Sequence, residues 1–151
     1  MIVLDANVLI AAFASDDSHH QWAIAFLRDT VSEELVISSL SYAEILVAPI
    51  RANRLNEFRK GIDSLGFNID EISADDSIEI AQLRSDTGLK MPDVIVLHTA
   101  LKHGASLATA DAALRRKATS LGVAVFSPVA WREDQQVHPP TGRTQVLQWK
   151  R

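Results

Sequence analysis

Four carboxylates stand where an α/β protein would be expected to place its ligands. Asp5 directly follows an apolar run at 2–4 that predicts a short buried strand, and Asp111 follows a similar run. Glu44 and Asp93 lie near the starts of predicted helices. Because ligands bind beyond the carboxyl ends of strands in parallel α/β sheets, we expect the four acids to meet in one crevice.

Acids that share a crevice repel one another, which raises some of their pKa values. A cation relieves this repulsion, and the site offers only oxygen donors. The sequence therefore predicts a hard divalent ion, Mg²⁺ or Mn²⁺, rather than Zn²⁺. The histidine spacing agrees, because His98 and His103 are five residues apart and no H-E-x-x-H motif occurs.

Each acid also has a purely structural explanation. Asp5 could form an Asx turn or cap a following helix, and Asp111 could be an N-cap. Ser41 and Glu44 match the S-x-x-E capping box, and Asp93 could complement a helix dipole. The main alternative is therefore a catalytically silent α/β interaction module whose acids are helix caps.

The elements that would position these acids alternate along the chain. Apolar runs predict strands at 2–4, 35–37, 67–72, 106–109 and 123–126. Helical spacing and end signals predict helices at 18–27, 41–50, 55–65, 75–87, 92–103 and 112–121. Short strands alternating with helices indicate βαβ units and a parallel sheet. Runs such as IVL, LVI and VAVF favour burial on both faces of that sheet.

Composition sets broad limits. The 151 residues suit one domain, and 47% hydrophobic with 23% charged residues is an ordinary globular balance. The absence of cysteine excludes disulfides and thiolate metal sites and fits a reducing cytoplasm. Neither a signal peptide nor a membrane-spanning segment is predicted. The net charge of −4 disfavours bulk attraction to nucleic acid but leaves local basic patches possible.

The motifs around the four acids resemble those of the PIN-domain family, and within it the VapC-type toxins of bacterial toxin–antitoxin pairs. The first family motif is similar to D-A-N-V-L-I at 5–10, and the second to S-S-L-S-Y-A-E-I at 38–45. The third is similar to L-K-M-P-D-V-I-V-L-H-T-A-L-K-H-G at 89–104, and the fourth to S-L-A-T-A-D at 106–111. F-S-P-V-A-W at 126–131 resembles the closing turn of the family.

This resemblance covers 1–131 and implies a single-domain three-layer α/β/α sandwich with a central five-stranded parallel sheet. Residues 132–151 are predicted to form a separate polar C-terminal tail. The resemblance further implies a Mg²⁺-dependent endoribonuclease acting on single-stranded RNA, with Mn²⁺ as a possible substitute. It also implies that a cognate antitoxin holds the enzyme inactive and that the toxin forms a homodimer.

Carried over by position, the resemblance implies four catalytic acids: Asp5, Glu44, Asp93 and Asp111. Asp5, Asp93 and Asp111 are the expected metal ligands, and Glu44 would hold a water molecule or accept its proton. Many relatives carry a further acid two residues after the fourth one. Here that position is Ala113, so a second metal, if one binds, would be held less firmly.

Further polar residues complete the expected site. Asn7 and Thr109 would orient the carboxylates. Basic residues outside the acid cluster could hold the RNA backbone. The candidates are Arg51, Arg54, Lys90, Arg115 and Arg116.

Overall fold

The computed structural model of the protein describes residues 1–129. The predicted tail at 132–151 and the last two residues of the F-S-P-V-A-W motif lie outside that range. The strands are β1 (Ile2–Leu4), β2 (Leu35–Ser38), β3 (Asn68–Asp70), β4 (Ser106–Ala108) and β5 (Val125–Phe126). The helices are α1 (Ala6–Phe13), α2 (His20–Asp29), α3 (Ser39–Arg51), α4 (Leu55–Asp63), α5 (Ala74–Thr87), α6 (Met91–His103) and α7 (Ala112–Ser120).

The five strands form one parallel sheet in the order β3-β2-β1-β4-β5, which confirms the predicted fold class. Strand β1 lies in the middle, with Ile2 opposite Leu35 of β2 on one side and opposite Ser106 of β4 on the other. The central position of β1 means that Asp5, just beyond its end, emerges at the middle of the sheet's carboxyl edge.

Alternate residues of the central strands enter two separate cores. Ile2 and Leu4 pack with α1, α2 and α4, whereas Val3 packs with α5, α6 and α7 on the other face. Strand β2 divides in the same way, because Ile37 joins the first core and Val36 the second. The helices therefore cover both faces of the sheet, which makes the predicted three-layer sandwich.

Apart from shifts of up to a few residues at the ends of elements, two features differ from the sequence-based expectations. Helix α1 has no predicted bounds, because ANVLIAAF is almost entirely apolar and shows no helical period. The expectation that VAVF is buried on both faces is wrong for β5. Phe126 is 42% exposed, and in the sheet formed by residues 1–129 β5 lies at an edge, paired with β4.

Candidate active site

Asp5 lies in a buried position at the junction of β1 and α1. It occupies the N-cap position of α1, yet its side chain accepts no capping hydrogen bond. Its Oδ2 accepts instead from Asn7 Nδ2 and from Thr109 Oγ1, both at 2.7 Å. The carboxylate is thus fixed by one side chain from the first turn of α1 and by another from just beyond the end of β4.

Thr109 and Asn7 join the ends of the two central strands. Thr109 is fully buried just beyond β4, and its Oγ1 also accepts from the backbone N–H of Asp111 at 3.0 Å. Asn7 Oδ1 accepts from the backbone N–H of Ala110 at 3.2 Å. Both residues therefore lie where side chains that orient carboxylates would be needed.

Glu44 is not part of a capping box, so that alternative is wrong. The N-cap of α3 is Ser38, whose Oγ accepts from the backbone N–H of Ser41 at 3.0 Å. Ser38 is the last residue of β2 and still has extended backbone angles, so α3 begins earlier than the S-x-x-E spacing suggests. Glu44 lies well inside the helix, and its carboxylate is not needed to satisfy the helix start.

Asp93 lies in the first turn of α6, which begins after Lys90 at the N-cap. Burial and the charge of Asp111 raise the pKa of Asp93, whereas the ammonium group of Lys90 lowers it. An acid in the first turn also suits the helix dipole, as the alternative explanation proposed. That contribution does not account for the proximity of the other acids.

Asp111 is a true N-cap, as the structural alternative predicted. Its Oδ1 accepts from the backbone N–H of Leu114 at 2.7 Å at the start of α7. One carboxylate oxygen is therefore used by the helix, and the other stays available. Among the four acids, Asp111 is the one with a capping hydrogen bond in the described structure.

The four acids lie close enough to influence one another's ionisation. Burial raises the pKa of Asp5 from its ordinary value of 3.8 to about 6, and the charges of Asp93 and Glu44 contribute to the rise. Burial also raises the pKa of Glu44, and the negative charge of Asp93 makes a smaller contribution. We name this group, Asp5, Glu44, Asp93 and Asp111, the acid pocket.

The composition of the acid pocket fits a hard divalent cation. Its donors are carboxylate oxygens, and a bound cation would offset the electrostatic repulsion between them. The carboxylates are spread apart, however. Within residues 1–129, a group of three side chains with all ligand atoms within 4.8 Å of one another lies elsewhere. It consists of Asp76, Glu79 and His98.

Comparison with known families identifies this architecture. The family model of the PIN domain matches residues 2–119. The chain belongs to the PIN domain family. PIN domains are generally nucleases.

Solved structures of PIN toxins are similar to this chain. A toxin–antitoxin complex from Klebsiella pneumoniae matches with 28% identity and a TM-score of 0.61, over 74% of this chain and 87% of that one. FitAcB from Neisseria gonorrhoeae shares the fold at 22% identity and a TM-score of 0.65, over 85% and 99% of the two chains. VapC20 from Mycobacterium tuberculosis, a toxin that cleaves the sarcin–ricin loop, shares it at 12% identity and a TM-score of 0.62, over 78% and 95%.

These findings confirm the predicted resemblance to PIN-domain toxins of the VapC type. Comparison with curated protein sequences gives no significant match. Within residues 1–129, none of the helices combines the length and apolar character that crossing a bilayer needs.

The basic residues predicted to hold RNA occupy different places. Lys90 is near enough to the acid pocket to affect Asp93, as described above. Arg54 is engaged in a bidentate contact with Glu57, at 2.8 and 3.0 Å. Arg115 follows Asp111 in the first turns of α7, and Arg51 ends α3. A role of these residues and of Arg116 in RNA binding stays a prediction.

The structure also groups residues to which the sequence analysis gave no role. Asp76 and Glu79 of α5 meet His98 of α6, nineteen positions beyond Glu79. The D-x-x-E spacing of Asp76 and Glu79 predicts that the two acids lie on one face of a helix. The sequence does not predict that His98 is their partner, because the two helices meet only through tertiary packing.

Proposed function

We propose that this PIN-domain chain is a divalent-metal-dependent endoribonuclease and the toxin of a type II toxin–antitoxin pair. The observation that carries the proposal is the mutual influence of four acids at the carboxyl edge of a parallel sheet, in a chain of a generally nucleolytic family. Capping explains only Asp111, which disfavours the silent interaction module.

In the proposed site, Asp5, Asp93 and Asp111 hold Mg²⁺, with Mn²⁺ as a substitute. When bound, such an ion lowers the pKa of a water molecule and neutralises phosphate charge. Asp111 would use the oxygen that does not cap α7. Because the carboxylates are spread apart, some contacts would run through water, which Mg²⁺ readily retains.

The remaining residues would orient and move protons. Thr109 and Asn7 hold Oδ2 of Asp5 by two hydrogen bonds and so orient its carboxylate. Glu44 has a raised pKa and suits acceptance of a proton from the attacking water. Lys90 would meet the phosphate backbone beside Asp93, and the four arginines named above would track it further out.

A cognate antitoxin is the proposed protein partner, and a homodimer the proposed assembly. A groove of about 200 Å³ runs along α1, α3 and α4 and is lined mainly by apolar side chains. Its lining includes Ile10 and Phe13 of α1, Ile45 and Pro49 of α3, and Phe58 of α4. Ile10 is 45% exposed, and an apolar antitoxin segment that lies in this groove would cover it.

The enzymatic proposal is tested with purified chain and a labelled single-stranded RNA. Cleavage is expected with Mg²⁺ or Mn²⁺ and should stop when EDTA removes the metal. Asp5→Asn and Asp93→Asn are expected to lower cleavage at least a thousandfold while the circular dichroism spectrum is unchanged. Glu71→Gln is the matched control, because this exposed acid lies between β3 and α5.

Equal cleavage by the parent and both variants would refute the assignment. The toxin role has its own test, in which expression of the chain alone slows bacterial growth and Asp93→Asn removes the effect. Normal growth at verified expression would contradict the toxin role but leave the nuclease proposal in place. This test also bears on the proposed cytoplasmic location, where the RNA substrate would be met.

A further inference from the structure

A buried histidine and two carboxylates form a compact group between α5 and α6. His98 Nε2 lies 2.9 Å from Glu79 Oε2 and 3.9 Å from Asp76 Oδ1. The three ligand atoms all lie within 4.8 Å of one another. We name Asp76, Glu79 and His98 the helix-pair cluster.

His98 is directed into this group and is only 5% exposed. In the described part of the chain, the polar contacts of its Nε2 are with the two carboxylates of the cluster. The ring therefore has no partner for this nitrogen outside the group. A buried imidazole facing two acids from a neighbouring helix presents a nitrogen donor to any cation that enters.

Asp76 is held in place by contacts that leave one oxygen for the cluster. Its Oδ2 accepts from the backbone N–H of Ser73 at 2.8 Å and from Lys102 Nζ at 3.2 Å. Its Oδ1 faces His98 instead. Partners that fix one oxygen of a carboxylate orient the other, as the outer partners of metal ligands commonly do.

We propose that the helix-pair cluster binds a divalent cation of the Zn²⁺ type, separately from the acid pocket. One imidazole nitrogen with two carboxylate oxygens suits Zn²⁺ and similar transition metals better than Mg²⁺, which prefers oxygen alone. Zinc bonds of about 2.0–2.2 Å place neighbouring ligand atoms roughly 3.0–3.5 Å apart. The observed 2.9 and 3.9 Å bracket that spacing.

The cluster is open to solvent on one side, which gives the ion a route of entry. The side chain of Glu79 is 69% exposed, whereas those of Asp76 and His98 are 11% and 7% exposed. Glu79 can therefore turn from its hydrogen bond with His98 toward an arriving cation. Lys102 contacts Oδ2 of Asp76 and offsets part of the negative charge without occupying the ligand oxygen.

A bound ion would join α5 to α6. Helix α6 carries Asp93 at its start, five positions before His98. The ion would thus stabilise the helix that presents an acid to the acid pocket, without itself contacting that pocket. This inference does not depend on the proposed nuclease activity.

Zn²⁺ titrated into the full chain in an isothermal calorimeter tests the site directly. With excess Mg²⁺ present to occupy the acid pocket, we expect one saturable Zn²⁺ site and a rise in Tm of roughly 5–10 °C at a hundredfold excess of Zn²⁺ over Kd. Glu79→Gln keeps an acceptor for His98 but removes the charged ligand, so Kd should weaken about tenfold or more. Asp5→Asn alters the acid pocket and none of the three ligands of the helix-pair cluster, so the affinity of that cluster for Zn²⁺ should stay unchanged in the presence of excess Mg²⁺.

Two further measurements guard against other binding sites. His103→Gln removes the neighbouring imidazole, which contacts Asp70 at 2.8 Å, and should keep the parent affinity. Co²⁺ in place of Zn²⁺ should give a visible absorption spectrum of a nitrogen–oxygen site that His98→Gln abolishes. Because Glu79 is exposed, Glu79→Gln should fold even where a change at His98 does not.

The proposal is overturned if the parent chain shows no saturable Zn²⁺ binding. It is equally overturned if Glu79→Gln binds Zn²⁺ as tightly as the parent. Loss of binding in Asp5→Asn would place the ion in the acid pocket, and loss in His103→Gln would place it at Asp70. A nuclease that fails to cleave RNA, by contrast, would leave the Zn²⁺ titrations unaffected.

Discussion

The hydroxyl group of Thr109 donates a 2.7 Å hydrogen bond to Oδ2 of Asp5, across 104 positions of the chain. The two residues follow adjacent parallel strands, β4 and β1, so their contact depends on correct pairing of the sheet. The same oxygen of Thr109 accepts the backbone N–H of Asp111. One buried hydroxyl therefore couples two of the four acids in the pocket.

Thr109→Val should both destabilise the protein and impair the proposed nuclease. Loss of the hydroxyl leaves a buried carboxylate and a backbone N–H without that partner, which costs about 2 kcal/mol. The hydrogen bond from Thr109 also lowers the pKa of Asp5, so its loss should shift the pH profile of cleavage upward. Urea unfolding and cleavage between pH 5.5 and 9 measure the two effects.

Thr109→Ser is the matched control for that change, because it keeps the hydroxyl and removes only a methyl group. It should retain the parent pH profile while losing some stability through weaker packing. A valine variant with the parent profile would show that Thr109 supports the fold alone.

Asp5→Asn should stabilise the metal-free protein at neutral and higher pH. Because the pKa of Asp5 is raised from 3.8 to about 6, the folded state favours the protonated form. The stability that this proton provides is fully present below pH 3.8 and is lost as pH rises through 6. A shift of this size corresponds to at most about 3 kcal/mol at pH 8.

Denaturant unfolding in EDTA at pH 4 and at pH 8 checks this prediction. The parent and Asp5→Asn should differ little at pH 4, and the variant should be the more stable at pH 8. Glu71→Gln, at an exposed acid, should follow the parent at both values. An Asp5→Asn protein that is less stable than the parent at pH 8 would contradict the assigned pKa direction.

Much of the fold could be predicted from the sequence because the central strands are short and entirely apolar. Val3 and Val36 lie on one face and Ile2 and Ile37 on the other, and each face is covered by helices. The same criterion failed at β5. An apolar run does not reveal that a strand lies at the edge of the sheet, as β5 does in the described part of the chain.

The position of each of the four acids at a strand end or near a helix start could be predicted from the sequence. The different structural role of each acid could not. Motif spacing predicts that Asp5 and Asp111 lie at strand ends. It does not predict that the side chain of Asp111 caps its helix whereas that of Asp5 does not, because this depends on the direction of each side chain. The Ser41–Glu44 spacing suggested a cap that Ser38 provides instead. His98 could not be assigned from sequence, because its acidic neighbours lie on another helix.

Asp111 has two separable roles, and two substitutions distinguish them. Asp111→Asn keeps a capping oxygen for the backbone N–H of Leu114 but removes the charge, so stability should change little while cleavage falls sharply. Asp111→Ala removes both and should cost about 1 kcal/mol in addition. Thermal unfolding with a cleavage assay separates the effects, and equal stability of the two variants would contradict the capping role.

Binding of Mg²⁺ to the acid pocket should release more protons at low pH than at high pH. A ligand carboxylate must be ionised, and Asp5, with a pKa of about 6, is largely protonated at pH 5. Apparent Mg²⁺ affinity should therefore fall about tenfold between pH 7 and pH 5. The raised pKa values of Asp93 and Glu44 should make the fall steeper.

Calorimetry in two buffers of different ionisation enthalpy measures the protons directly. About one proton should leave per Mg²⁺ bound at pH 5, and close to none at pH 8. The titration is best made in the Glu79→Gln background, so that the helix-pair cluster does not contribute. Mg²⁺ affinity that stays constant from pH 5 to pH 8 would mean that Asp5 is not among the ligands, because a ligand with its raised pKa cannot bind without losing a proton.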